Sequence, residues 1–599
     1  VIQDKSFVDP GTIGAQDPTW AWGSNPGTPT AGDLYFPHVY VPNEWLENPD
    51  GSLANPMGRW DYGRLGAGLV PSNPAAAPFA CTTSTGIAST CPGTPNPTAV
   101  PESFMDTPMV NGTAYPVLHV APEAYRFHML SAGNDRALNL SIYQSFNPAT
   151  GQVGDKSGTE VKMVSQGALN PWPAGWPAAD GRPEGYVDPA TAGPVFVQIA
   201  TEGGLLPAPA VAKHRPMGYI LDATGAVIDT KETALQLGPA ERADAIVDFS
   251  AYAGKTLILY NDSPAPSPGF DTRYDYYTGD ADQTGQGGAP TTLPGYGPNT
   301  RTIMQIIVDQ PGTGQAPFNL ANLTSTMAGL FAATQDPMLV PETTYGATGD
   351  TRVAKNDTSV TFNDPNNGGA PVTYQLQHKL IYEGFTMDWG RLDAVLGVVA
   401  TKGANAGSNV DLGYVDPATE VMGDGEMQVW RVTHAGVDTH AMHFHLFNVQ
   451  VLNRIDMNGN IVPPEPNELG WKDTVMMHPG QDTIVALKPL KQNIPFDLPN
   501  SIRPLDVTKP IGATGDFKGV DGDNNAVSVT NVMTNFGWEY VWHCHLLGHE
   551  ENDMMRPMIF GLAPNTPSNP AVAWSNNHPV LTWADNSANE TAFQVDRSA

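Results

Sequence analysis

The most chemically distinctive part of the sequence is the segment YVWHCHLLGHEENDMMRPM. Successive side chains of an extended strand point to opposite faces, so Cys544 would face one side and His543 and His545 the other. His549 and Met554 follow in a turn and can return to the side of the sulfur. Two imidazoles, a thiolate and a weak axial thioether are the ligands of blue-copper electron-transfer sites. The segment therefore predicts such a site, with Met554 as the axial ligand and one histidine still missing.

The missing histidine is supplied by a second segment, DTHAMHFHLFNVQVL. His443 and His445 are two residues apart and are expected to share one face of a strand. His440 lies just before that strand and can reach a different centre. We therefore assign His440 to the sulfur site, together with Cys544 and His549. The other imidazoles are predicted to bind a second copper cluster: His443, His445, His543 and His545.

Each part of this pattern has a simpler explanation when it is taken alone. A single His-x-His pair in a strand is more often a surface feature than a pair of ligands, and a single Cys-His-x3-His run could hold zinc. Here two His-x-His pairs, a lone cysteine and a methionine occur at compatible spacings. Zinc would need neither the thioether nor the doubled histidine pairs, so both segments are interpreted as copper-binding. Met555 follows Met554 directly and is the alternative axial ligand.

The net negative charge of the chain limits the classes of molecule that it is expected to bind. The chain of 599 residues contains 61 acidic and 30 basic residues, a formal net charge of -31. Nucleic acids require a basic footprint, so a nucleic-acid partner is excluded, and anionic membrane surfaces are disfavoured for the same reason. No run of apolar residues is long enough to span a bilayer. The acidic surface is explained by solubility in an extracellular setting, and the alternative is attraction of cationic substrates such as metal ions.

Many short strands joined by loops are expected to hold the ligands. Glycine (61) and proline (56) are abundant, and both favour turns over long helices. Alternating runs such as LNLSIY, PVFVQIA, DAIVDFS and TLILYND indicate a β-sandwich or small barrel. Residues 311–371 are polar and indicate an interdomain connection. Strand signals return in MQVWRVTH, HFHLFNVQVLNR and WEYVWHCH, and no long stretch of helical periodicity occurs.

Both copper segments resemble the third and fourth copper motifs of the multicopper oxidases, His-x2-His-x-His and His-Cys-His-x3-His-x4-Met. Similarity to the bacterial laccase, spore-coat laccase and bilirubin-oxidase branch extends over most of the chain, through VNGTAYPVLHVAPEAYRFHMLSA, TEGGLLPAP, LGPAERADAIVDFS and GWKDTV. The family has three cupredoxin domains, which are Greek-key β-barrels. The resemblance implies an all-β fold in which residues 1–312 are the second domain, with long insertions. Residues 313–563, with an N-terminal linker, would be the third.

The first two copper motifs of the family, each a His-x-His pair, are missing from this sequence. The family's trinuclear cluster requires eight imidazoles and this chain offers four. We therefore expect the first cupredoxin domain to lie on another chain, to be removed by cleavage, or to be absent. A start inside a strand-like run without a signal peptide favours a fragment. The other histidines are isolated and are interpreted as ordinary core, loop or surface residues: His38, His119, His128, His214, His378, His434, His478 and His578.

The resemblance implies an oxidoreductase in which a type 1 copper takes single electrons from a small reducing substrate. The electrons would pass from the Cys544 sulfur through the backbone to a trinuclear cluster that reduces dioxygen to water. Making water consumes protons, and Glu550 resembles the acidic relay residue of the family. The alternative for Glu550 is a solvated carboxylate beside Glu551. Asp473 and Asp438 are candidates to orient a copper-bound imidazole by accepting its second N–H.

The reducing substrate is not fixed by the sequence. Phenolic compounds, bilirubin-like pigments and the metal ions Fe(II), Mn(II) and Cu(I) are all oxidised within the family. The absence of a methionine-rich segment disfavours the cuprous ion, and the acidic balance mildly favours metal cations. The alternative function is a blue-copper electron-transfer or surface scaffold protein in which the trinuclear site is never completed.

Two features outside the copper segments point to an exported protein. Cys81 and Cys91 bracket a short Ser/Thr/Gly-rich loop and could form a disulfide, which requires an oxidising compartment; two free thiols are the alternative. Residues 564–599 resemble the first strands of a fibronectin type III module, with Trp583 as the buried strand residue. About 35 residues are too few to close an independent core. We therefore predict a secreted, periplasmic or cell-surface location.

Overall fold

The computed structural model defines the fold over most of the chain after residue 103. The described residues are 1–7, 10, 28, 30–34, 41–42, 60–61, 104–182, 184–221, 227–231, 233–269, 275–282, 291–310, 318–341, 352–386, 391–496, 498–521, 524–561, 567–576 and 578–584. The predicted disulfide Cys81–Cys91 and the isolated His38 lie outside these residues. Strands dominate the described part, which confirms the all-β prediction.

The first half of the chain forms two sheets that enclose a hydrophobic core. One sheet has the strand order Gly204–Ala212, Phe196–Thr201, Arg242–Asp248, Ala124–Leu130. The other has the order Leu235–Leu237, Leu138–Gln144, Thr256–Asn261, Thr302–Val308, Val117–Val120. Ala243, Ala245 and Val247 alternate with more exposed residues and are fully buried, as expected for a strand with one face on the core. We call this half the first β-unit.

The second β-unit also has two sheets, and it carries both copper segments. Its larger sheet has the order Asn409–Leu412, Arg391–Val399, Ala370–Thr386, Gln428–Ala435, Asp482–Leu487, Val449–Ile455, Ile461–Val462, with Ser359–Asp364 paired to Ala370–Thr386. Its five-stranded sheet has the order Glu420–Gly423, Met555–Gly561, Trp538–Cys544, His440–Phe444, Thr474–Met477. The core between them contains Trp430, Trp542 and Cys544.

The described residues also form shorter strands and helices outside these four sheets. The short strands are Ile2–Lys5, Val41–Pro42, Trp60–Asp61, Thr107–Val110, Thr113–Ala114, Phe146–Asn147, Gln152–Val153, Met163–Val164, Tyr186–Val187, Gly218–Leu221, Val227–Lys231, Ile502–Pro504, Thr514–Gly515, Val529–Thr530 and Met533–Asn535. The 3-10 helices are Gln166–Ala168, Pro189–Thr191, Ser250–Tyr252, Pro365–Asn367, Gly403–Asn405 and Pro466–Glu468. The α-helices are Leu320–Thr334 and Leu547–Glu550. Neither α-helix is long and apolar enough to cross a bilayer.

The connection between the units contains the 15-residue helix Leu320–Thr334, which the sequence analysis did not predict. Asn319 caps this helix, because its side chain accepts a hydrogen bond from the backbone N–H of Asn322. Met327 is its one fully buried residue and packs against Leu206 of the first β-unit. With so few core contacts, the helix shows little amphipathic periodicity in its sequence, and it lies within residues 311–371, which were interpreted as a polar connection.

A buried ion cluster joins the two units. Lys472 of the second unit lies with its Nζ 2.9 Å from a carboxylate oxygen of Glu202 and 2.9 Å from one of Glu241, both in the first unit. Burial alone would lower the pKa of Lys472, but the two carboxylates outweigh burial and raise its pKa above the ordinary value. The hydroxyl of Thr201 donates to the Trp471 carbonyl at 2.6 Å beside this cluster. Charge pairing and hydrogen bonding therefore hold the interface together.

The last described strands, Ser568–Ser575 and His578–Ala584, form an isolated antiparallel hairpin. Trp583 is half-buried, whereas Trp574 of the partner strand is 73% exposed. The hairpin has the strand arrangement with which many β-sandwich modules begin. Assignment of residues 564–599 to a fibronectin type III-like module stays a prediction.

The ion cluster gives a first testable prediction. Replacement of Lys472 by Met leaves two buried carboxylates without their cation, so we expect a loss of about 3–5 kcal/mol in the free energy of unfolding. The matched control is Lys518→Met, because Lys518 pairs with Asp411 at 3.0 Å on the surface, with both side chains about half exposed. That control should change stability by less than about 1 kcal/mol. Urea denaturation of both variants measures the difference, and equal losses would contradict the buried role of Lys472.

Candidate metal centre

The pairing of two strands separates the predicted ligands into two sets. In the antiparallel pair His440–Phe444 and Trp538–Cys544, Met442 lies opposite Cys544 and His443 lies opposite His543. Opposed residues project from the same face of a sheet and successive residues from opposite faces. His440 therefore shares the face of Cys544, and the cluster histidines lie on the other face. Both His-x-His pairs end just beyond their strands, since the strands stop at Phe444 and Cys544.

The sulfur site brings together His440, Cys544 and His549. The Cys544 Sγ lies 3.4 Å from His440 Nδ1 and 3.8 Å from His549 Nδ1, and the two nitrogens are 3.1 Å apart. A point about 2.0 Å from all three atoms lies inside this triangle, which matches metal–nitrogen bond lengths of about 2.0–2.1 Å. All three residues are at most 2% exposed. The donor set therefore fits a trigonal copper ion.

Hydrogen bonds orient the imidazole of His440 toward this point. His440 Nε2 lies 2.6 Å from Glu383 Oε1, and because a carboxylate only accepts, Nε2 carries the hydrogen. The lone pair of a neutral ring is then on Nδ1, which faces Cys544 and His549. Burial raises the pKa of the Cys544 thiol well above its ordinary value. A thiolate in this place therefore needs a cation beside it, and metal binding supplies one because the metal replaces the proton.

The register also distinguishes Met554 from Met555. Met554 is fully buried in the same core cluster as Cys544, and its carbonyl accepts the Cys544 N–H at 3.1 Å. Met555 instead lies opposite His543 in the next strand and shares the face of the imidazoles. These positions favour Met554 as the axial ligand of the sulfur site.

The second set of ligands is a cluster of four imidazoles. His445 Nε2 and His543 Nε2 are 3.3 Å apart. The His443 ring lies 5.0 Å from the His445 ring, 5.4 Å from the His543 ring and 5.3 Å from the His545 ring. Burial lowers the pKa values of His543 and His545 to about 4 each, so both rings are neutral near pH 7. Neutral imidazole is the form that binds metal ions.

Backbone carbonyls fix the tautomers of two cluster histidines. His443 Nδ1 lies 3.0 Å from the carbonyl oxygen of Asp473, and His543 Nδ1 lies 3.0 Å from that of Cys544. Each Nδ1 therefore donates its hydrogen, and each Nε2 carries the lone pair. This is the orientation in which ligating histidines are held in metalloproteins.

Two carboxylates, those of Asp473 and Glu550, lie beside the imidazole cluster. Asp473 Oδ1 lies 3.4 Å from His443 Nδ1, and Arg242 of the first unit pairs with the same carboxylate. Burial would raise the pKa of Asp473, but hydrogen bonds from His443 and Thr474 and the charge of Arg242 lower it to about 2. Glu550 Oε2 lies 3.5 Å from His545 Nδ1. Asp473 therefore lies beside a predicted ligand, and its role in orienting a copper-bound imidazole stays a prediction.

Asp438 was a candidate to orient a copper-bound imidazole, and its backbone contacts a histidine that is not a predicted ligand. Its backbone carbonyl lies 2.7 Å from His434 Nε2, and Glu383 is the carboxylate that contacts the ligand His440. The sequence analysis missed Glu383, which lies 57 residues before His440 in a strand of the other sheet. No motif surrounds Glu383, so only the three-dimensional pairing of the sheets reveals its contact.

The histidines interpreted as ordinary have varied surroundings. His119 and His128 are exposed beside Asp309 and Asp244, and His214 bonds to the Ile142 carbonyl at 2.8 Å. The remaining described ones are His378 in a strand of the large sheet, His434 and His478 in the interior, and the exposed His578 of the hairpin. Burial lowers the pKa values of His434 and His478 to about 3. The His434 ring packs 4.9 Å from the ring of His440.

The chain is similar in sequence to several known proteins. A family model described as multicopper oxidase matches residues 395–494. The laccase of Bacillus subtilis is 24% identical over 481 residues, which cover 78% of this chain and 56% of that laccase. The laccase of Haloferax volcanii is 23% identical over 486 residues, which cover 80% of this chain and 51% of the relative. Among solved structures, the McoA multicopper oxidase of Aquifex aeolicus aligns with a TM-score of 0.38 and 15% identity, covering 94% of this chain and 64% of McoA.

These matches confirm the resemblance to the multicopper oxidases that the two copper segments predicted. The chain spans about half the length of the laccases that it matches.

The sulfur site gives a second testable prediction. A Cys thiolate bound to Cu(II) in a trigonal site produces an intense blue colour. We expect the copper-loaded protein to be blue and Cys544→Ser to be colourless at the same copper concentration, measured by visible absorption. His445→Ala is the control, since His445 belongs to the other face, and it should keep the colour. A colourless wild-type protein with full copper loading would show that Cys544 is wrongly assigned.

Proposed function

We propose that this chain provides the electron-entry site and half of the oxygen-reducing site of a multicopper oxidase. The observation that carries the proposal is the placement of two donor sets on opposite faces of one strand. Cys544 belongs to the first set, and its direct neighbours His543 and His545 belong to the second. Electron transfer between the sets then needs only a short path of covalent bonds.

Copper fits both donor sets and would supply one-electron redox chemistry at the sulfur site and dioxygen reduction at the imidazole cluster. The residues that would hold copper at the sulfur site are His440, Cys544, His549 and, as a weak axial ligand, Met554. Zinc is a poorer fit, because a buried thioether adds nothing to a zinc site. At the cluster, the four imidazoles His443, His445, His543 and His545 are four of the eight that a trinuclear centre requires.

The other four imidazoles would come from a first cupredoxin domain, which residues 1–599 do not include. Two observations support this part of the proposal. The aligned part of the chain covers only 56% and 51% of the two laccases. The cluster is also partly open, since the side chains of His443 and His545 are 19% and 30% exposed, whereas the sulfur site is closed. In this assignment, residues 1–312 and 313–563 are the second and third cupredoxin domains.

The proposed substrates are dioxygen and a small reducing compound, either a phenol or a metal ion. The acidic balance of the chain favours a cation, because negative charge raises the local concentration of positive substrates. Location in the periplasm, at the cell surface or outside the cell stays a prediction.

Glu550 is the proposed proton donor to the oxygen-reducing site. Its Oε2 lies 3.5 Å from His545 Nδ1 and 3.8 Å from His543 Nδ1, so it is the carboxylate next to two cluster imidazoles. It is about one quarter exposed, which lets it exchange protons with water. A residue in this position can hold a proton at the edge of the cluster and release it inward.

The proposal predicts which assemblies consume dioxygen. The copper-loaded chain described here should not reduce dioxygen by itself, because half of the imidazoles are missing. An assembly that adds a first cupredoxin domain with two His-x-His pairs should consume dioxygen, and His445→Ala should abolish that consumption without loss of the blue colour. An oxygen electrode and a visible spectrum measure both. An assembly that turns blue, accepts electrons and never consumes dioxygen would favour the alternative, an electron-transfer or scaffold protein.

A further prediction concerns the proton donor. In the complete assembly, Glu550→Gln should slow reoxidation by dioxygen by about 100-fold, within the usual range for general acid catalysis. Reduction of the sulfur site needs no proton and should keep its rate. Stopped-flow spectroscopy follows both steps as loss and return of the blue colour. The control is Glu551→Gln, since Glu551 is exposed and directly follows Glu550 as the C-cap of the helix. Equal defects in both variants would remove Glu550 from this role.

A further inference from the structure

A buried glutamate lies directly behind the sulfur site. The Glu383 side chain is 1% exposed, and its Oε1 accepts the Nε2–H of His440 at 2.6 Å. This contact crosses the core, because Glu383 belongs to the eight-stranded sheet and His440 to the five-stranded sheet. The contact therefore ties a ligand of the sulfur site to the opposite sheet.

Both carboxylate oxygens of Glu383 are used. Oε2 accepts the backbone N–H of Val437, in a short hydrogen bond, and that of Asp438 at 3.2 Å. Three N–H groups therefore converge on one carboxylate. Glutamine could not replace it, because an amide has one accepting oxygen and its NH2 group would meet an N–H on the other side.

The backbone at Gly436 closes one side of the space around the Glu383 carboxylate. A Cβ atom at Gly436 would lie 2.5 Å from Glu383 Oε2 and 2.6 Å from Cδ, far inside van der Waals contact. Gly436 thus forms part of the wall that confines the carboxylate. This wall is independent of the hydrogen bond to His440 and indicates that the position of the carboxylate is built into the fold.

We propose that Glu383 is a positioning residue that fixes the His440 ring and lowers the reduction potential of the type 1 copper. The proposal rests on the function proposed above and adds a residue that tunes its electron-entry site. A carboxylate that accepts the second N–H of a ligating imidazole makes that imidazole a stronger donor. A buried negative charge also favours the more positive of two ions at the site.

The redox step involves no bond change in the protein. Glu383 would keep its negative charge while a bound copper ion accepted one electron from the reducing substrate and its charge fell from two to one. The carboxylate therefore stabilises the oxidised ion more than the reduced ion. Its loss should shift the equilibrium toward the reduced form and make the site a stronger oxidant of its substrate.

The test is a redox titration of the blue colour in the copper-loaded chain. In Glu383→Gln we expect the reduced form to gain at least tenfold over the oxidised form, which is a rise of about 59 mV for a one-electron couple. Gly436→Ala should shift the potential in the same direction, because it displaces the carboxylate and keeps its charge. The control is Glu420→Gln, which removes an equally buried carboxylate that pairs with Lys379 at 3.2 Å instead of a ligand.

The outcomes separate this inference from the proposed function. Unchanged potentials in blue Glu383→Gln and Gly436→Ala proteins would overturn the role of Glu383 and leave the function intact. An equal shift in Glu420→Gln would overturn it too, because the effect would belong to any buried charge. A wild-type protein that never turns blue would instead contradict the proposed function. If Glu383→Gln fails to fold, Gly436→Ala alone decides, since a shift supports the inference and no shift overturns it.

Discussion

The register between His440–Phe444 and Trp538–Cys544 is the constraint on which the rest of the site depends. Because the side-chain period of a strand is two, a slip of one residue would exchange the faces of Cys544 and the imidazoles. Cys544 would then point away from His440, and the donors of the sulfur site would no longer meet. The large apolar side chains on the Cys544 face oppose such a slip, since Trp542 and Met442 are fully buried on that side of the sheet. Core packing therefore enforces the geometry of the donors.

The same period explains how much of the site could be predicted from the sequence. Alternation within HCH separates sulfur from imidazole locally, and the spacing of the second segment assigns His440 to the sulfur. These inferences need only the strand and no knowledge of its neighbours. Glu383 could not be predicted in this way, because its contact with His440 exists only after two sheets have packed together. The helix Leu320–Thr334 was not predicted for a related reason. Met327 anchors it through tertiary contacts, which no local pattern in the sequence indicates.

None of the described residues of the first β-unit is a proposed copper ligand, yet this unit contacts residues beside the proposed ligands of the second unit. Arg242 pairs with Asp473, whose backbone carbonyl and carboxylate both contact His443. Asp135 accepts the backbone N–H of Gly548 at 2.9 Å, one residue before the ligand His549. The pair of Arg242 and Asp473 lies beside the imidazole cluster, and the hydrogen bond from Gly548 to Asp135 lies beside the sulfur site. The interface therefore lies beside both proposed copper sites.

The two donor sets differ most in their exposure, and this difference matches the roles proposed for them. The sulfur site is closed, so its ligands must be held in place by the protein alone, through Glu383 on one side and the core on the other. A closed site changes little when its charge changes, which suits rapid transfer of single electrons. The imidazole cluster is partly open on the opposite face, where further ligands and dioxygen could approach. One strand can serve both purposes because its two faces meet different surroundings, one the interior of the sandwich and the other a surface that a further domain can cover.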